Sequence, residues 1–367
     1  MNEKQIAFII CTNNNLWYSE CVRFINELEI PAGYTTDVLC IQEADSITQG
    51  YNAGMQASEA KYKVYLHQDT FIINKRFIYD ILDVFQKDET IGMLGVLGAK
   101  ELSKDANCYL DWRWGKIQAN DGLVMMQSDF LRQPNEGSCE LMKAVDGMII
   151  ITQHDVPWRE DILDGWDFYD VSQSLEMQRA GYKVVVPYQK EAWTYHDCGC
   201  PNLAKYDLYR VKMQENYPEC FAKACDEQKI KDAHENRMAI DRMRESLISL
   251  YEGRRYTDLL TYVLELRKTA PLDTSIRHLM NLMAIYELEE KNNCTHSIWF
   301  SGYTWAQATE LYTWLTFVIR RIEWGCEDVR KDELRSLMNE GYISKVAIWY
   351  LSKVVLKTNE KVMEFIE

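Results

Sequence analysis

Short apolar runs alternate with helix-like segments over the first 200 residues of the chain. The first run, Ile6–Cys11, is continuously apolar, as is typical of a strand buried on both faces of a parallel sheet. Between the runs, apolar residues recur three and four positions apart, which predicts helices. The predicted strands cover residues 6–11, 38–41, 62–66, 91–97, 148–152 and 182–187. This alternation predicts an α/β domain with a doubly wound, mostly parallel sheet that becomes mixed toward its end.

The pattern of apolar and polar residues changes near residue 202. After this point the spacing of the apolar residues predicts only helices. A hairpin is expected before that point, around Asn120-Asp121-Gly122. We therefore predict two domains, an α/β domain over residues 1–217 and an all-helical domain over residues 218–367. One stretch of the second domain is faintly similar to the helical hairpins of tetratricopeptide arrays, although no clean repeat of about 34 residues is visible. The predicted helices cover residues 203–216, 221–250, 256–268, 275–291, 304–323, 328–339 and 342–356.

Charge and composition exclude several classes of protein. The chain has 41 Lys+Arg against 56 Asp+Glu, a net charge of −15, so nucleic-acid binding over a broad basic face is not expected. No apolar stretch approaches about eighteen residues, and the N-terminal segment does not resemble a signal peptide, so we expect neither a transmembrane helix nor secretion. The eleven scattered cysteines are expected to be reduced thiols of a cytoplasmic protein.

Two segments near the ends of early strands are candidates for binding an anionic ligand. Asp69 follows the third predicted strand, where ligands of open α/β sheets bind, and a carboxylate there can hold a divalent cation. The alternative is that Asp69 caps the next helix. The glycines of Gly50–Gly54 allow a ligand to approach the backbone closely, or they simply allow two elements to pack closely.

Three later segments also carry candidate chemistry. Asp146 and Gly147 precede a buried strand, where they suit contact with a hydroxyl group or form a turn. Asp167 and Asp170 are three residues apart, so on a helix they would share a face, and a carboxylate among aromatic residues suits a general base. The alternative role for these acids is helix capping. His196 ends the last strand-like stretch and is either a structural residue or one that approaches Asp69.

Together these segments resemble a family 2 glycosyltransferase of the GT-A fold, more narrowly the branch named after the streptomycin-biosynthesis protein StrF. The resemblance covers about residues 4–215. It implies transfer of a sugar from a nucleotide-diphosphate donor to a glycan or other hydroxyl acceptor, with inversion at the anomeric carbon. It rests on the order of an apolar strand, Gly50–Gly54, Asp69, Asp146-Gly147, Asp170, Arg179-Ala180-Gly181 and His196.

The resemblance assigns roles to individual residues. Asp69 matches the last Asp of the Asp-x-Asp motif and, with His196, would hold Mn²⁺ or Mg²⁺ on the donor diphosphate. Asp170 matches the catalytic base. Contacts to the nucleotide are implied for Thr12, Glu43, Asn52, His67 and Gln68. Contacts to the acceptor are implied for Asp146, Gly147 and Asp167, and Trp112 and Trp114 either stack on an acceptor sugar or pack in the core.

Two departures from the family pattern leave other functions open. His67 stands where the first Asp of Asp-x-Asp is expected, and Tyr169 replaces one member of the acidic pair at the base. A non-catalytic protein that binds a nucleotide sugar, or that serves as a scaffold, is therefore the second hypothesis. A nucleotidyltransferase is a third, but its Gly-rich basic loop is missing after the first strand. The aromatic residues of the helical domain are expected in its core, with an exposed subset available to a protein partner or a second copy.

Overall fold

A computed structural model of the chain describes residues 1–120, 125–127, 131–199, 203, 205–222, 227–266, 273–300, 302–326, 330–358 and 361–366. The chain forms two compact units. The first comprises Met1–Ala119, Gln127–Asp197 and Leu203–Ala233, and the second comprises Asn120–Met126, Cys198–Asn202 and His234–Glu367. The domain boundary at residues 217/218 stays a prediction, and Asp121 and Gly122 of the expected hairpin lie outside the described residues.

The strands and helices follow the predicted alternation. The strands are β1 (Asn2–Cys11), β2 (Thr35–Ile41), β3 (Ala60–His67), β4 (Thr70–Ile72), β5 (Ile91–Gly95), β6 (Leu97–Ala99), β7 (Trp114–Gly115), β8 (Gln118–Asn120), β9 (Met125–Gln127), β10 (Cys139–Leu141), β11 (Ala144–Val145), β12 (Ile149–Thr152), β13 (Lys183–Pro187) and β14 (Thr194–His196). The helices among them are α1 (Asn15–Asn26), α2 (Ile47–Ala57), α3 (Phe77–Lys87), α4 (Tyr169–Arg179) and α5 (Tyr206–Asn216).

The central sheet has seven strands in the order β10-β13-β5-β12-β3-β1-β2. Strand β1 runs parallel to both β2 and β3, and β13 runs parallel to β5. Strand β12 is antiparallel to β3 and β5, and β10 is antiparallel to β13, so five of the seven strands share one direction. The mixed, mostly parallel sheet and the helical region after it confirm the predicted fold class.

Two strand pairings bring the candidate residues to one edge of the fold. In the central sheet Cys11 of β1 is the partner of His67 of β3, so the loops after both strands begin side by side. In a smaller sheet β14 runs antiparallel to β4, with His196 opposite Thr70. Because Thr70 follows Asp69 directly, this register places His196 beside the loop that carries Asp69.

The strand predicted over residues 91–97 is in fact two strands. β5 ends at Gly95 and pairs in the central sheet, while β6 begins at Leu97 and pairs with β7 and β11. The physical reason is that the chain changes its hydrogen-bonding partners after Gly95, where it passes close to β11: a Cβ on Gly95 would lie 2.6 Å from the Cβ of Val145. A side chain at residue 95 would therefore push β11 away from the end of β5.

The later part of the chain is helical, as predicted. Its helices are α6 (Glu227–Glu252), α7 (Tyr256–Leu266), α8 (Thr274–Lys291), α9 (Trp305–Glu323), α10 (Arg330–Asn339), α11 (Lys345–Tyr350) and α12 (Lys361–Ile366). A π-helical turn, Leu351–Val355, ends the predicted helix over residues 342–356. Among the described helices, none has both the length and the apolar character needed to cross a bilayer.

The aromatic residues singled out in the helical region contribute to its core. Trp299, Trp305 and Tyr312 are buried in one cluster with aliphatic side chains from α6 to α12. Tyr303 and Trp314 are half-buried against the same cluster. These residues therefore offer little exposed surface to a partner, and a role of the helical region in association stays a prediction.

Candidate functional site

The loops after β1 and β3 are tied together by a glutamine. The Oε1 atom of Gln68 accepts a hydrogen bond from the hydroxyl of Thr12 at 2.6 Å and from the backbone N–H groups of Asn13 and Asn14 at 3.2 Å each. The Gln68 amide in turn donates to Asn13 Oδ1 at 2.8 Å. Thr12 is buried, so this network fixes the backbone at the carboxyl end of the central strands.

Next to this loop, one carboxylate and two imidazoles converge. Asp69 Oδ1 lies 3.8 Å from Nδ1 of His67 and 3.5 Å from Nε2 of His196. One ligand atom from each of these three residues lies within 4.8 Å of the others. Asp69 itself sits in the turn between β3 and β4 and so does not cap a helix, the alternative role considered for it.

The donor set fits a divalent cation. Asp69 Oδ1 is buried and accepts no hydrogen bond from the residues that the structure describes. Burial raises the pKa of Asp69, but the neighbouring His196 and His67 outweigh it, so the pKa lies below its usual value and the carboxylate is ionised. An ionised carboxylate with two imidazoles is a common ligand set for divalent metal ions.

A tyrosine at the start of α4 contacts this cluster. The hydroxyl of Tyr169 is hydrogen-bonded to Nε2 of His67. Tyr169 is buried, and its ring lies beside those of Tyr51 and Trp158, with centroids 6.0 and 6.3 Å away. A Cβ added to Gly147 would overlap the Tyr169 hydroxyl. The absence of a side chain at Gly147 is therefore what allows Tyr169 to reach His67.

The next residue, Asp170, is a carboxylate whose proton affinity is strongly raised. Its oxygens accept hydrogen bonds from the backbone N–H of Gly147 at 3.0 Å and of Val171 at 2.8 Å. Burial, followed by the negative charge of Asp146, raises the pKa of Asp170 from 3.8 to about 7. A carboxylate with a pKa near neutrality can accept and release protons under physiological conditions.

The edge of the sheet thus combines two chemical functions. The cluster of His67, Asp69 and His196 can hold a cation that neutralises an anionic group. Asp170, linked to the cluster through its neighbour Tyr169, can serve as a general base. These are the parts needed to transfer a group from an anionic leaving group to a hydroxyl acceptor.

The sequence of this domain matches a known family. A family model described as a glycosyltransferase-like family matches residues 7–217, which is more than half of the chain. The chain belongs to this family of glycosyltransferase-like proteins. The matched region contains every residue of the site described above.

Comparisons with individual proteins find only distant similarities. No curated protein sequence matches the chain. Among solved structures, the glycosyltransferase-like chain is similar to S. aureus TarS 1–349 in complex with UDP, with 11% identity, a TM-score of 0.38, and coverage of 80% of this chain and 93% of the other. It is also similar to a Drosophila β1,4-galactosyltransferase 7 mutant in complex with manganese, UDP-Gal and xylobiose, with 12% identity, a TM-score of 0.34, and coverage of 61% and 77%.

Three residues expected to contact the nucleotide or the acceptor lie outside the cluster of His67, Asp69 and His196. Glu43 is exposed just after β2, with a left-handed backbone (φ 58°). Trp114 is half-buried, with the Lys100 ammonium 4.0 Å from the centre of its ring. Trp112 packs against a cluster of buried side chains that includes Phe168. A contact of Trp112 or Trp114 with an acceptor therefore stays a prediction.

The expectation that Asp167 and Asp170 share a helical face is wrong. Helix α4 begins at Tyr169, and Phe168 before it has a left-handed backbone (φ 62°), which turns the chain and leaves Asp167 outside the helix. Asp167 is still a notable carboxylate. Burial raises its pKa to about 6, although the Lys205 ammonium opposes the shift. Its contact with an acceptor stays a prediction.

Asn52 is held in the interior of the fold. Its side-chain amide donates to the backbone carbonyl of Trp158 at 2.9 Å, and its Oδ1 accepts from the Trp158 N–H at 2.8 Å. We expect Asn52→Ala to lower the free energy of unfolding by about 2–4 kcal/mol, because it leaves two buried backbone groups unpaired. Urea unfolding measures this loss. A variant of unchanged stability with weakened nucleotide binding would instead support the nucleotide contact that the resemblance implied.

The role of Tyr169 is not predicted by the sequence, which indicates only that a carboxylate is missing at this position. No spacing pattern connects residues 67 and 169. Gly147 is the one residue whose position could indicate this contact, because a glycine before a buried strand often permits the close approach of another side chain. His67, assigned to the nucleotide from the resemblance, lies within the cation cluster.

Proposed function

We propose that the protein transfers a sugar from a nucleotide-diphosphate donor to a hydroxyl acceptor, with inversion at the anomeric carbon. The observation that carries the proposal is the link from the Asp69 cluster, through the hydrogen bond of His67 to Tyr169, to the adjacent Asp170, within a domain that matches a glycosyltransferase-like family. Within family 2, the order of the motifs favours the StrF-type branch, and we expect the transferred sugar to be a hexosyl group.

The donor would be bound through its diphosphate. Asp69 and His196 would hold Mn²⁺ or Mg²⁺, and the bound cation supplies positive charge to the departing nucleoside diphosphate. A cation also explains how a domain with 17 basic and 30 acidic residues over positions 1–200 would bind an anionic ligand. The rigid Thr12–Gln68 network would support the nucleoside beside it.

Asp170 would act on the acceptor. Its carboxylate would remove the proton of the attacking hydroxyl as the new glycosidic bond forms and the bond to the diphosphate breaks. With a pKa of about 7, Asp170 is roughly half deprotonated at neutral pH, yet it is basic enough to take a hydroxyl proton as that group becomes acidic in the transition state. Asp146 and Asp167 would face the acceptor pocket.

Proton NMR of the released sugar tests this function. The protein would be incubated with Mn²⁺ and α-linked nucleotide sugars carrying UDP, GDP or dTDP, with water or simple sugars as acceptors. We expect the first product formed to have the β configuration, because a single displacement inverts the anomeric carbon. A first product of α configuration would refute inversion. Nucleotide binding with no turnover of any donor would favour the non-catalytic hypothesis.

A further inference from the structure

The two departures from the family pattern are in contact with each other. His67 stands where an aspartate is expected, and Tyr169 stands where a second acidic residue is expected. In the fold, the Tyr169 hydroxyl is hydrogen-bonded to Nε2 of His67. Loss of a carboxylate at each position would by itself weaken a metal site. Here the imidazole of His67 offers a new metal ligand, and the buried hydroxyl of Tyr169 holds that imidazole by a hydrogen bond.

This contact determines which nitrogen of His67 faces the cluster. With Nε2 engaged by Tyr169, the remaining nitrogen, Nδ1, points toward Asp69 Oδ1 at 3.8 Å. His196 Nε2 lies 3.5 Å from the same oxygen. One ligand atom from each of the three residues lies within 4.8 Å of the others, so side-chain adjustments would bring both nitrogens and the oxygen onto one metal ion.

The support for His67 is rigid. Tyr169 begins α4 and packs against Tyr51 and Trp158. Its hydroxyl occupies the space that a side chain on Gly147 would need. The second N–H of a metal-binding histidine is commonly held by a hydrogen-bond acceptor, which fixes the orientation of the ring and contributes to metal affinity.

We propose that His67 is the third protein ligand of the cation and Tyr169 its positioning residue, so that the site prefers Mn²⁺ or a later transition-metal ion over Mg²⁺. The preference follows from the donor atoms. Imidazole nitrogen binds first-row transition ions well, whereas Mg²⁺ requires oxygen ligands and retains its water. The inference rests on the proposed function only in taking this cation to be the one that holds the donor diphosphate.

Metal binding without nucleotide tests the inference. Wild-type protein would be titrated with Co²⁺, Mn²⁺ and Mg²⁺ by calorimetry, and Co²⁺ would also be followed by its visible absorption. We expect the affinity to increase in the order Mg²⁺, Mn²⁺, Co²⁺, with Co²⁺ bound at least about tenfold more tightly than Mg²⁺. The Co²⁺ spectrum should show nitrogen coordination.

Two variants distinguish the role of His67 as a metal ligand from the role of Tyr169 in positioning it. His67→Asp replaces the imidazole by a carboxylate, so the preference for Co²⁺ over Mg²⁺ should fall by about tenfold or more. Tyr169→Phe keeps the ring packing and removes only the hydroxyl, so Co²⁺ affinity should fall by about 10- to 100-fold. His154→Asp, which alters a histidine stacked on Tyr182 outside the cluster, is the matched control and should change neither value.

The outcomes are separable from those of the proposed function. Equal affinities for Co²⁺ and Mg²⁺ in the wild type, or an unchanged preference in a folded His67→Asp variant, would overturn the inference even if sugar transfer is observed. If His67→Asp does not fold, unaltered Co²⁺ affinity and absorption in Tyr169→Phe would overturn the positioning role. A transition-metal preference that depends on both residues would support the inference whether or not any donor is turned over.

Discussion

Replacing Asp170 by Asn is expected to lower the rate of sugar transfer by about 10²–10⁴-fold while leaving donor binding nearly unchanged. The amide cannot accept the proton of the acceptor hydroxyl, but it has almost the same size and does not alter the Asp69 cluster. Initial rates and calorimetric titration with the nucleotide measure the two effects. Asp161→Asn, which changes a 61% exposed carboxylate of the same domain, is the control and should keep full activity.

The same substitution should change how stability depends on pH. Because the pKa of Asp170 is about 7 in the fold and 3.8 in the unfolded chain, the fold favours the protonated acid, and the wild type loses stability as the pH rises from about 4 to about 7. Asp170→Asn does not titrate. Its stability relative to the wild type should therefore increase by roughly 2–3 kcal/mol between pH 5 and pH 8, measured by urea unfolding.

Either of two results would contradict this account of Asp170. Transfer at the wild-type rate by the Asn variant would exclude its role as the base. A stability difference between variant and wild type that is constant from pH 5 to pH 8 would mean that Asp170 titrates normally, and that burial and Asp146 do not raise its pKa.

The second large effect is expected at Asp69. Asp69→Ala should abolish the part of the nucleotide affinity that depends on the cation, because it removes the ionised carboxylate between two imidazoles. The fold should survive, since the hydrogen bond that ties this turn to Asp197 uses the backbone carbonyl of residue 69, which the substitution keeps. Calorimetry with nucleotide, with and without Mn²⁺, measures the loss.

Asp83→Ala provides the matched control for this variant. Asp83 is 61% exposed on α3, where it pairs with Lys87, so its removal changes charge by the same amount without touching the cluster. It should bind nucleotide as the wild type does. If a folded Asp69→Ala variant retains a metal-dependent affinity, the cation is held elsewhere and the assignment of this site is wrong.

Much of this edge of the fold could be predicted from the sequence because it depends on strand order. The continuously apolar β1 predicts a buried parallel strand, and ligands of open α/β sheets bind at the carboxyl ends of their strands, which predicts a site at Asp69. Contacts of Thr12 and Gln68 at the same edge are implied only by the resemblance. The contact of His196 with this edge was suggested by its position after the last strand. The register of β14 against β4 is the physical cause of that contact.

Other features depend on contacts that periodicity does not encode. Asn52 bonds to the backbone of a residue 106 positions later, and His67 bonds to one 102 positions later. Such pairs follow from the packing of α2 and α4 on the sheet, which a single sequence does not specify. The left-handed Phe168 likewise moved Asp167 out of the helix, and no local residue preference predicts that conformation for phenylalanine.

Thermal unfolding with nucleotides tests the central claim most directly. The protein would be heated with UDP, GDP, CMP and dTDP, each with and without Mn²⁺, and Asp69→Ala would be treated in the same way. We predict that one nucleotide raises the melting temperature of the wild type only when Mn²⁺ is present, and that this shift is absent in Asp69→Ala. No shift with any nucleotide, or an equal shift in the variant, would contradict a nucleotide site built on this cation cluster.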